Sequence, residues 1–143
     1  MSEYRIVKVL SANDTGETGG HQAGLLIPRK EEILSFFPKL DSAQLNPRAH
    51  LHFQDQEGEF WEFAFIYYNN KFFDGTRNEY RLTRMTKYMR KAGLGAGDEI
   101  ILHQRADGSY FISYQREAAA VISQQEEGGT VLRLRSGWKV IDL

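Results

Sequence analysis

One ten-residue run, Gly75-Thr76-Arg77-Asn78-Glu79-Tyr80-Arg81-Leu82-Thr83-Arg84, sets an arginine, an asparagine and a glutamate side by side. In a DNA major groove these side chains pair bidentately with guanine, pair bidentately with adenine, and accept from cytosine, respectively. In an extended backbone Arg77, Glu79 and Arg81 point one way, and Asn78 and Tyr80 the other. Arg77, Asn78 and Glu79 are therefore candidates for base edges, with Lys71, Arg81, Arg84 and Lys87 as candidates for phosphates. A surface salt-bridge ladder among Arg77, Glu79 and Arg81 is the rival reading.

A second polar stretch, Ser11-Ala12-Asn13-Asp14-Thr15-Gly16-Glu17-Thr18-Gly19-Gly20-His21-Gln22, lies between two apolar runs. It offers hydroxyl, amide and imidazole groups, and its glycines allow the backbone to approach a ligand closely. Connections of this length are longer than usual and are commonly functional or disordered. The plainer alternative is a flexible surface loop.

Other chemistry finds less support. His50 and His52 are two apart on a strand-like run and so share a face that could suit a metal, but no third ligand stands nearby and cysteine is absent. An ordinary partly buried pair is the better reading. The Pro-Asp…Asp/Glu-x-Lys pattern of metal-dependent nucleases is missing, because Pro28, Pro38 and Pro47 are followed by Arg29, Lys39 and Arg48. Gly93-x-Gly95-x-Gly97 follows a helix-like segment and precedes a strand, the wrong order for a phosphate-binding loop.

The elements that must position these residues are mostly short strands. Tyr4 to Leu10, Ala23 to Pro28, Ala49 to Phe53 and the aromatic run Phe60 to Tyr68 read as strands, the last as a central buried one. Asp98 to Gln104 and Tyr110 to Gln115 read as a hairpin over an Asp-Gly turn. Val131 to Leu134 and Trp138 to Ile141 close the chain as short strands, after an exposed linker from Gln124 to Gly129. Short helices are expected over Arg29 to Phe37, stopped near Pro38, and over Leu82 to Met89. Seven to nine strands with two helices favour a barrel or pseudobarrel over a doubly wound sheet.

Bulk properties agree. At 143 residues with 41% hydrophobic and 13% aromatic content, residues 1–143 read as one globular domain. The absence of cysteine excludes a disulfide framework and fits a reducing compartment. No apolar run approaches the roughly 20 residues that cross a bilayer, and the polar N-terminus does not resemble a signal peptide, so a soluble cytoplasmic protein without a membrane partner is expected. The net charge is −1, but residues 76–91 hold six basic side chains against Glu79 alone, whereas Asp55, Glu57, Glu59 and Glu62 gather elsewhere. A chain with one basic and one acidic face can be near neutral and still bind a polyanion.

Residues 11–28 (SANDTGETGGHQAGLLIP), Leu45-Asn46-Pro47 and residues 66–84 (IYYNNKFFDGTRNEYRLTR) closely resemble the N-terminal effector-binding domain of EcoRII-type restriction endonucleases. That domain belongs to the DNA-binding pseudobarrel superfamily of the plant B-three transcription factors, whose Gly-Leu-x-x-Gly-Asp turn is similar to residues 93–98. The matches cover roughly half of the chain in the correct order.

The resemblance implies a mainly β, open seven-stranded pseudobarrel with short helices, gripping double-stranded DNA in the major groove between an N-terminal and a C-terminal arm. It implies a CC(A/T)GG-like site, no catalytic residue and no cofactor in this chain, a prokaryotic source, and a nuclease domain fused or encoded nearby. His21 falls on the family's arm histidine, and Arg77, Asn78, Glu79 and Arg81 on its TRNE-x-R motif. The expected DNA-contacting set is Asn13, Thr15, Thr18, Gly19, Gly20, His21 and Gln22 with Lys71, Arg77, Asn78, Glu79, Tyr80, Arg81 and Arg84. Leu26 and Gly75 depart from family positions that can be polar or basic, and Tyr80 replaces a basic residue. The alternatives are a small metal-dependent phosphodiesterase using His50 and His52, and an RNA- or small-ligand-binding pseudobarrel.

Overall fold

Among the described residues eight strands join edge to edge in one sheet of order β2-β5-β4-β3-β7-β6-β1-β8. They are β1 (Tyr4–Val9), β2 (Leu25–Ile27), β3 (Arg48–Gln54), β4 (Phe60–Tyr68), β5 (Glu79–Thr83), β6 (Glu99–Gln104), β7 (Tyr110–Gln115) and β8 (Trp138–Ile141). Every pairing is antiparallel except the short parallel contact of β3 with β7. The computed structural model describes residues 3–16, 24–116 and 137–141. The strand expected over Val131 to Leu134 and the linker before it lie outside these residues. The curled, mainly β sheet agrees with the sequence expectation, with eight strands rather than seven.

Alternation decides which side of each strand faces the core. Ile6, Leu25, Ile27, Leu51, Phe53, Phe63, Phe65, Leu82, Ile100, Leu102 and Ile112 point into one core. β4 lies inside the sheet between β5 and β3 and is buried from Phe63 to Tyr67, as its aromatic density predicts. A ring stack runs along the core: Phe37 on Phe65 (4.5 Å), Phe65 on Tyr80 (5.7 Å) and Tyr80 on Tyr67 (4.2 Å).

Among the described residues three short α-helices interrupt the strands: α1 (Ala12–Thr15), α2 (Glu31–Leu34) and α3 (Thr86–Ala92). Two differ from expectation. The helix expected over Arg29 to Phe37 is confined to α2, and tighter turns follow, with Phe36 and Phe37 donating to Ile33 and Leu34 and both rings buried. The helix expected from Leu82 begins only at Thr86. Leu82 is instead held in β5 by Leu25 of β2 on one side and Phe65 of β4 on the other. Two-sided strand pairing thus overrides the helical spacing of Leu82, Met85 and Met89. Arg84, with φ 66°, turns the chain between β5 and α3, and Gly93 ends α3 at φ 67°.

Among the described residues the sheet ends in β2 on one side and β8 on the other. The Trp138 indole N–H reaches across from β8 to donate to the Leu26 carbonyl of β2 (3.1 Å), so a side chain bridges the seam of the pseudobarrel.

Candidate nucleic-acid interface

The two polar stretches leave the sheet at opposite ends of the β2–β5 pair. Leu25 pairs with Leu82 and Ile27 with Tyr80, so the chain enters β2 beside the C-terminal end of β5. Gly24 lies so close there that a Cβ would stand 2.8 Å from the Leu82 carbonyl oxygen. The second stretch leads into the opposite end of β5, at Glu79. Between the two arms lies the sheet face turned away from the core.

The N-terminal arm is rooted by a buried charge pair. Ser11 caps α1, accepting from the Asp14 N–H (3.1 Å), and Asp14 Oδ2 accepts from the Ser11 N–H (2.9 Å). The same Oδ2 lies 2.7 Å from Lys8 Nζ, with both side chains nearly buried. The Gly24 N–H donates to the Asp14 carbonyl (2.9 Å) and closes the loop at its base. The expected uninterrupted loop therefore starts with a helical turn, on which Asn13 is exposed and Thr15 half-buried. Thr18, Gly19, Gly20, His21 and Gln22 lie outside the described residues.

The C-terminal arm is a closed 3-10 turn, Asn70–Phe73, followed by Asp74 at φ 70°. Asn70 ties it together: its carbonyl accepts from the Gly75 N–H (2.6 Å) and its Oδ1 from the Arg77 N–H (2.6 Å). The Lys71 N–H donates back to the Arg77 carbonyl (2.8 Å), leaving the Lys71 side chain exposed. Beneath the turn Asn69 is fully buried and satisfied. Its Oδ1 accepts from the Asn46 N–H (2.8 Å), and its Nδ2 donates to the carbonyls of Ser42 and Gln44.

At the start of β5 the side chains sort as alternation predicts. Arg77 stands 3.8 Å over the Tyr68 ring, and Glu79 Oε2 takes 2.7 Å contacts from both Arg77 Nη2 and Arg81 Nε. Partial burial would raise the Glu79 carboxyl, but hydrogen bonds from Arg77 and Arg81 and their charges outweigh it and hold it below its ordinary value. The salt-bridge ladder is thus present, and it fixes three groups able to pair with bases and phosphates.

Asn78 and Tyr80 occupy the other side. The Asn78 amide is satisfied with Nδ2 donating to the Tyr67 hydroxyl (2.7 Å) and Oδ1 accepting from both Arg29 Nη atoms (3.1 Å each). Arg29 Nη2 also donates to the Asn78 carbonyl (3.0 Å). Tyr80 is stacked on Tyr67 and Phe65. Asn78 therefore does not share a face with Arg77 and Glu79.

Between the arms, register aligns Leu26, Arg81, Ile66 and Arg48 across β2, β5, β4 and β3, with Thr83, Ala64 and His50 in the next row. Arg48 and His50 are exposed. The signal for Arg48 was the alternation of Arg48, His50 and His52 with buried or half-buried Ala49, Leu51 and Phe53.

The expected single basic face divides. Arg77 and Arg81 lie on the outer sheet face, and Arg84 follows at the N-arm end of β5. Lys87 is exposed on α3, the helix whose Tyr88 and Met89 pack into the core. Lys91 pairs instead with Glu57 (3.4 Å) and Glu59 and sits 5.6 Å from the Trp61 ring. His52 pairs with Glu62 (3.4 Å), both exposed. Among the described residues the one group of three potential metal ligands is Asp55, Glu57 and Glu59, which includes neither histidine of the metal reading. Asp55 already accepts from the Glu57 and Glu59 N–H groups and the Trp61 indole, so its carboxylate organises the β3–β4 turn.

Comparison with known proteins matches the sequence of this chain to a family. Residues 1–96 match the family model "Restriction endonuclease EcoRII, N-terminal". The chain is 46% identical over 81 residues to the type II restriction enzyme EcoRII of Escherichia coli, covering 54% of this chain and 20% of that protein. It is 30% identical over 114 residues to a putative B3 domain-containing protein of Oryza sativa subsp. japonica, covering 79% of this chain and 34% of that protein. The chain thus spans a fifth to a third of these relatives. Its fold is similar to the protein in an Arabidopsis FUS3–DNA complex, with TM-score 0.60 and 19% identity over 77% of this chain and 94% of that one. It is also similar to Arabidopsis thaliana LEC2 in its DNA complex, with TM-score 0.57 and 17% identity over 78% and 91% of the two chains. On the family match, which takes in β1 to α3 and both arms, this chain belongs to the family of EcoRII N-terminal domains.

Proposed function

We propose that this chain recognises a specific sequence in double-stranded DNA, as the specificity domain of a type II restriction endonuclease. The observation that carries the reading is the Arg77–Glu79–Arg81 triad, fixed on the sheet face between two separately anchored arms. A B-form major groove is wide enough to admit a strand and its side chains. Arg77 pairs with a guanine edge and Glu79 accepts from a cytosine amino group, while Arg81, Arg84, Lys71 and Arg48 meet phosphates. Asn13, Thr15, Thr18, Gly19, Gly20, His21 and Gln22 contact the duplex from the opposite arm. Asn78 and Tyr80 serve this surface from behind by holding the strand in place. These contacts use hydrogen bonds and charge alone and need no cofactor.

Membership of the EcoRII N-terminal family and the likeness to two folds seen in complex with DNA support the reading. By the same resemblance the site is CC(A/T)GG-like, and cleavage belongs to a nuclease domain fused or encoded nearby. A gel shift with CC(A/T)GG and scrambled duplexes tests the proposal. Tighter binding of the first is expected, and equal binding to every sequence refutes sequence recognition. Incubation of plasmid with Mg²⁺ or Mn²⁺ leaves it intact, and cleavage by this chain alone would favour the phosphodiesterase alternative.

A further inference from the structure

The sheet face between the arms carries one large exposed apolar side chain in the row of Arg81 and Arg48. Leu26 is 45% exposed, whereas Ile66 in the same row is 3% exposed. Register sets Leu26 directly beside Arg81, the residue that pairs with Glu79. Its main chain is held on both sides, by the ladder to β5 and by the Trp138 indole on the Leu26 carbonyl (3.1 Å). A leucine on a clamped three-residue strand offers a defined apolar surface.

A lone exposed leucine is ordinary on a protein surface and needs no explanation. This one differs by location, since it lies between the two arms and next to the charged triad. The apolar feature that a major groove presents among its donors and acceptors is the 5-methyl group of a pyrimidine.

Resting on the proposed recognition of duplex DNA, we infer that Leu26 reads a pyrimidine 5-methyl group at one position of the bound sequence. Thymine carries this methyl by nature and cytosine acquires it by methylation, so either base presents the same chemistry. The contact favours a methylated pyrimidine by the worth of about one buried methyl, roughly a fourfold difference in affinity.

The test begins by selecting duplexes bound by the full chain from a random pool. The consensus is then synthesised with each thymine replaced in turn by uracil and each cytosine by 5-methylcytosine. Dissociation constants are measured by fluorescence anisotropy for the wild type, Leu26→Ala and Leu26→Val. At one position the wild type and Leu26→Val bind the methylated pyrimidine about fourfold more tightly, and Leu26→Ala binds both forms alike. Thermal melting confirms that the variants fold. Indifference of the wild type to every methyl, or an equal preference retained by Leu26→Ala, overturns the inference while leaving sequence recognition intact. A pool that yields no enriched sequence overturns sequence recognition itself.

Discussion

Lys8 Nζ and Asp14 Oδ2 meet at 2.7 Å, with only 5% and 10% of their side chains exposed, beneath the root of the N-terminal arm. The same carboxylate oxygen also accepts the Ser11 N–H, and the Asp14 carbonyl accepts the Gly24 N–H across the loop. Asp14 is thus the point where β1, α1 and the entry to β2 are joined. Asp14→Ala would leave the buried Lys8 ammonium with the Val9 carbonyl (2.8 Å) but no counter-charge, a change that costs about 3–5 kcal/mol. Urea denaturation should show a loss of this size. The double variant Lys8→Met with Asp14→Asn removes both charges and keeps an acceptor for Ser11, and should recover most of it.

This anchor shows where sequence reading stops. The polar, glycine-rich composition of residues 11–22 marked a loop, but nothing local revealed that Asp14 is buried. Its burial goes with that of Lys8, a charged residue that alternation sets on the same face of β1 as the buried Ile6 and Leu10. The strands marked by β-branched residues, alternation, aromatic density or an Asp-Gly turn, β1, β3, β4 and the β6–β7 hairpin, were legible, because each of these signals is local in the chain. Leu82 was misread because its strand pairing comes from β2, more than fifty residues earlier in the chain. The chemistry of Arg77, Glu79 and Arg81 was legible from residue type. That Asn78 turns away follows from alternation alone, but its partners Tyr67 and Arg29 come from β4 and the bend after β2 and could be found only in three dimensions.

Glu79 makes the C-terminal arm sensitive to acid. Its folded-state carboxyl titrates below the ordinary value of 4.5, because the hydrogen bonds and charges of Arg77 and Arg81 outweigh the upward effect of burial. A lowered acid pKa contributes stability that is present above the ordinary glutamate range and is lost as pH falls through the folded value. Carboxyl carbon NMR should therefore place the Glu79 midpoint below 4.5, and Arg81→Ala should raise it toward that value. A midpoint unmoved by removing Arg81 would separate the shift from the ion pair.

Asn78 braces β5 from the core side. Asn78→Ala leaves the Tyr67 hydroxyl and the Arg29 guanidinium without this partner, in a half-buried site. The expected loss of stability is about 1–3 kcal/mol, measured by denaturant titration. DNA affinity should fall at every salt concentration with an unchanged slope of log K against log salt, since no phosphate contact is removed. A base-reading Asn78 would behave differently, relaxing preference at a single adenine.

Arg77 and Lys71 separate reading from gripping. Arg77 is cradled by Tyr68 and Glu79, whereas the Lys71 side chain is exposed on the turn. Arg77→Ala should cost about 1–3 kcal/mol on the preferred duplex and relax preference at one guanine. Lys71→Ala should weaken all duplexes alike and make the salt slope shallower by about 1. Competition gel shifts across a salt series distinguish the two patterns.

Gly75 tests whether the arm must be shaped before DNA arrives. A Cβ at this position would lie 2.6 Å from Asn70 Oδ1, the atom that accepts the Arg77 N–H. Gly75→Ala forces the Asn70 side chain aside and releases the Arg77 backbone, while the buried core stays untouched. The cost falls on recognition, because an arm that must order on binding spends part of its contact energy doing so. Thermal unfolding should therefore move little, and affinity for the preferred duplex should drop by about 1 kcal/mol, the scale of one lost hydrogen bond. Hydrogen exchange at the Arg77 amide should speed up in the free variant. If that amide stays as protected as in the wild type, Asn70 is not what holds the arm.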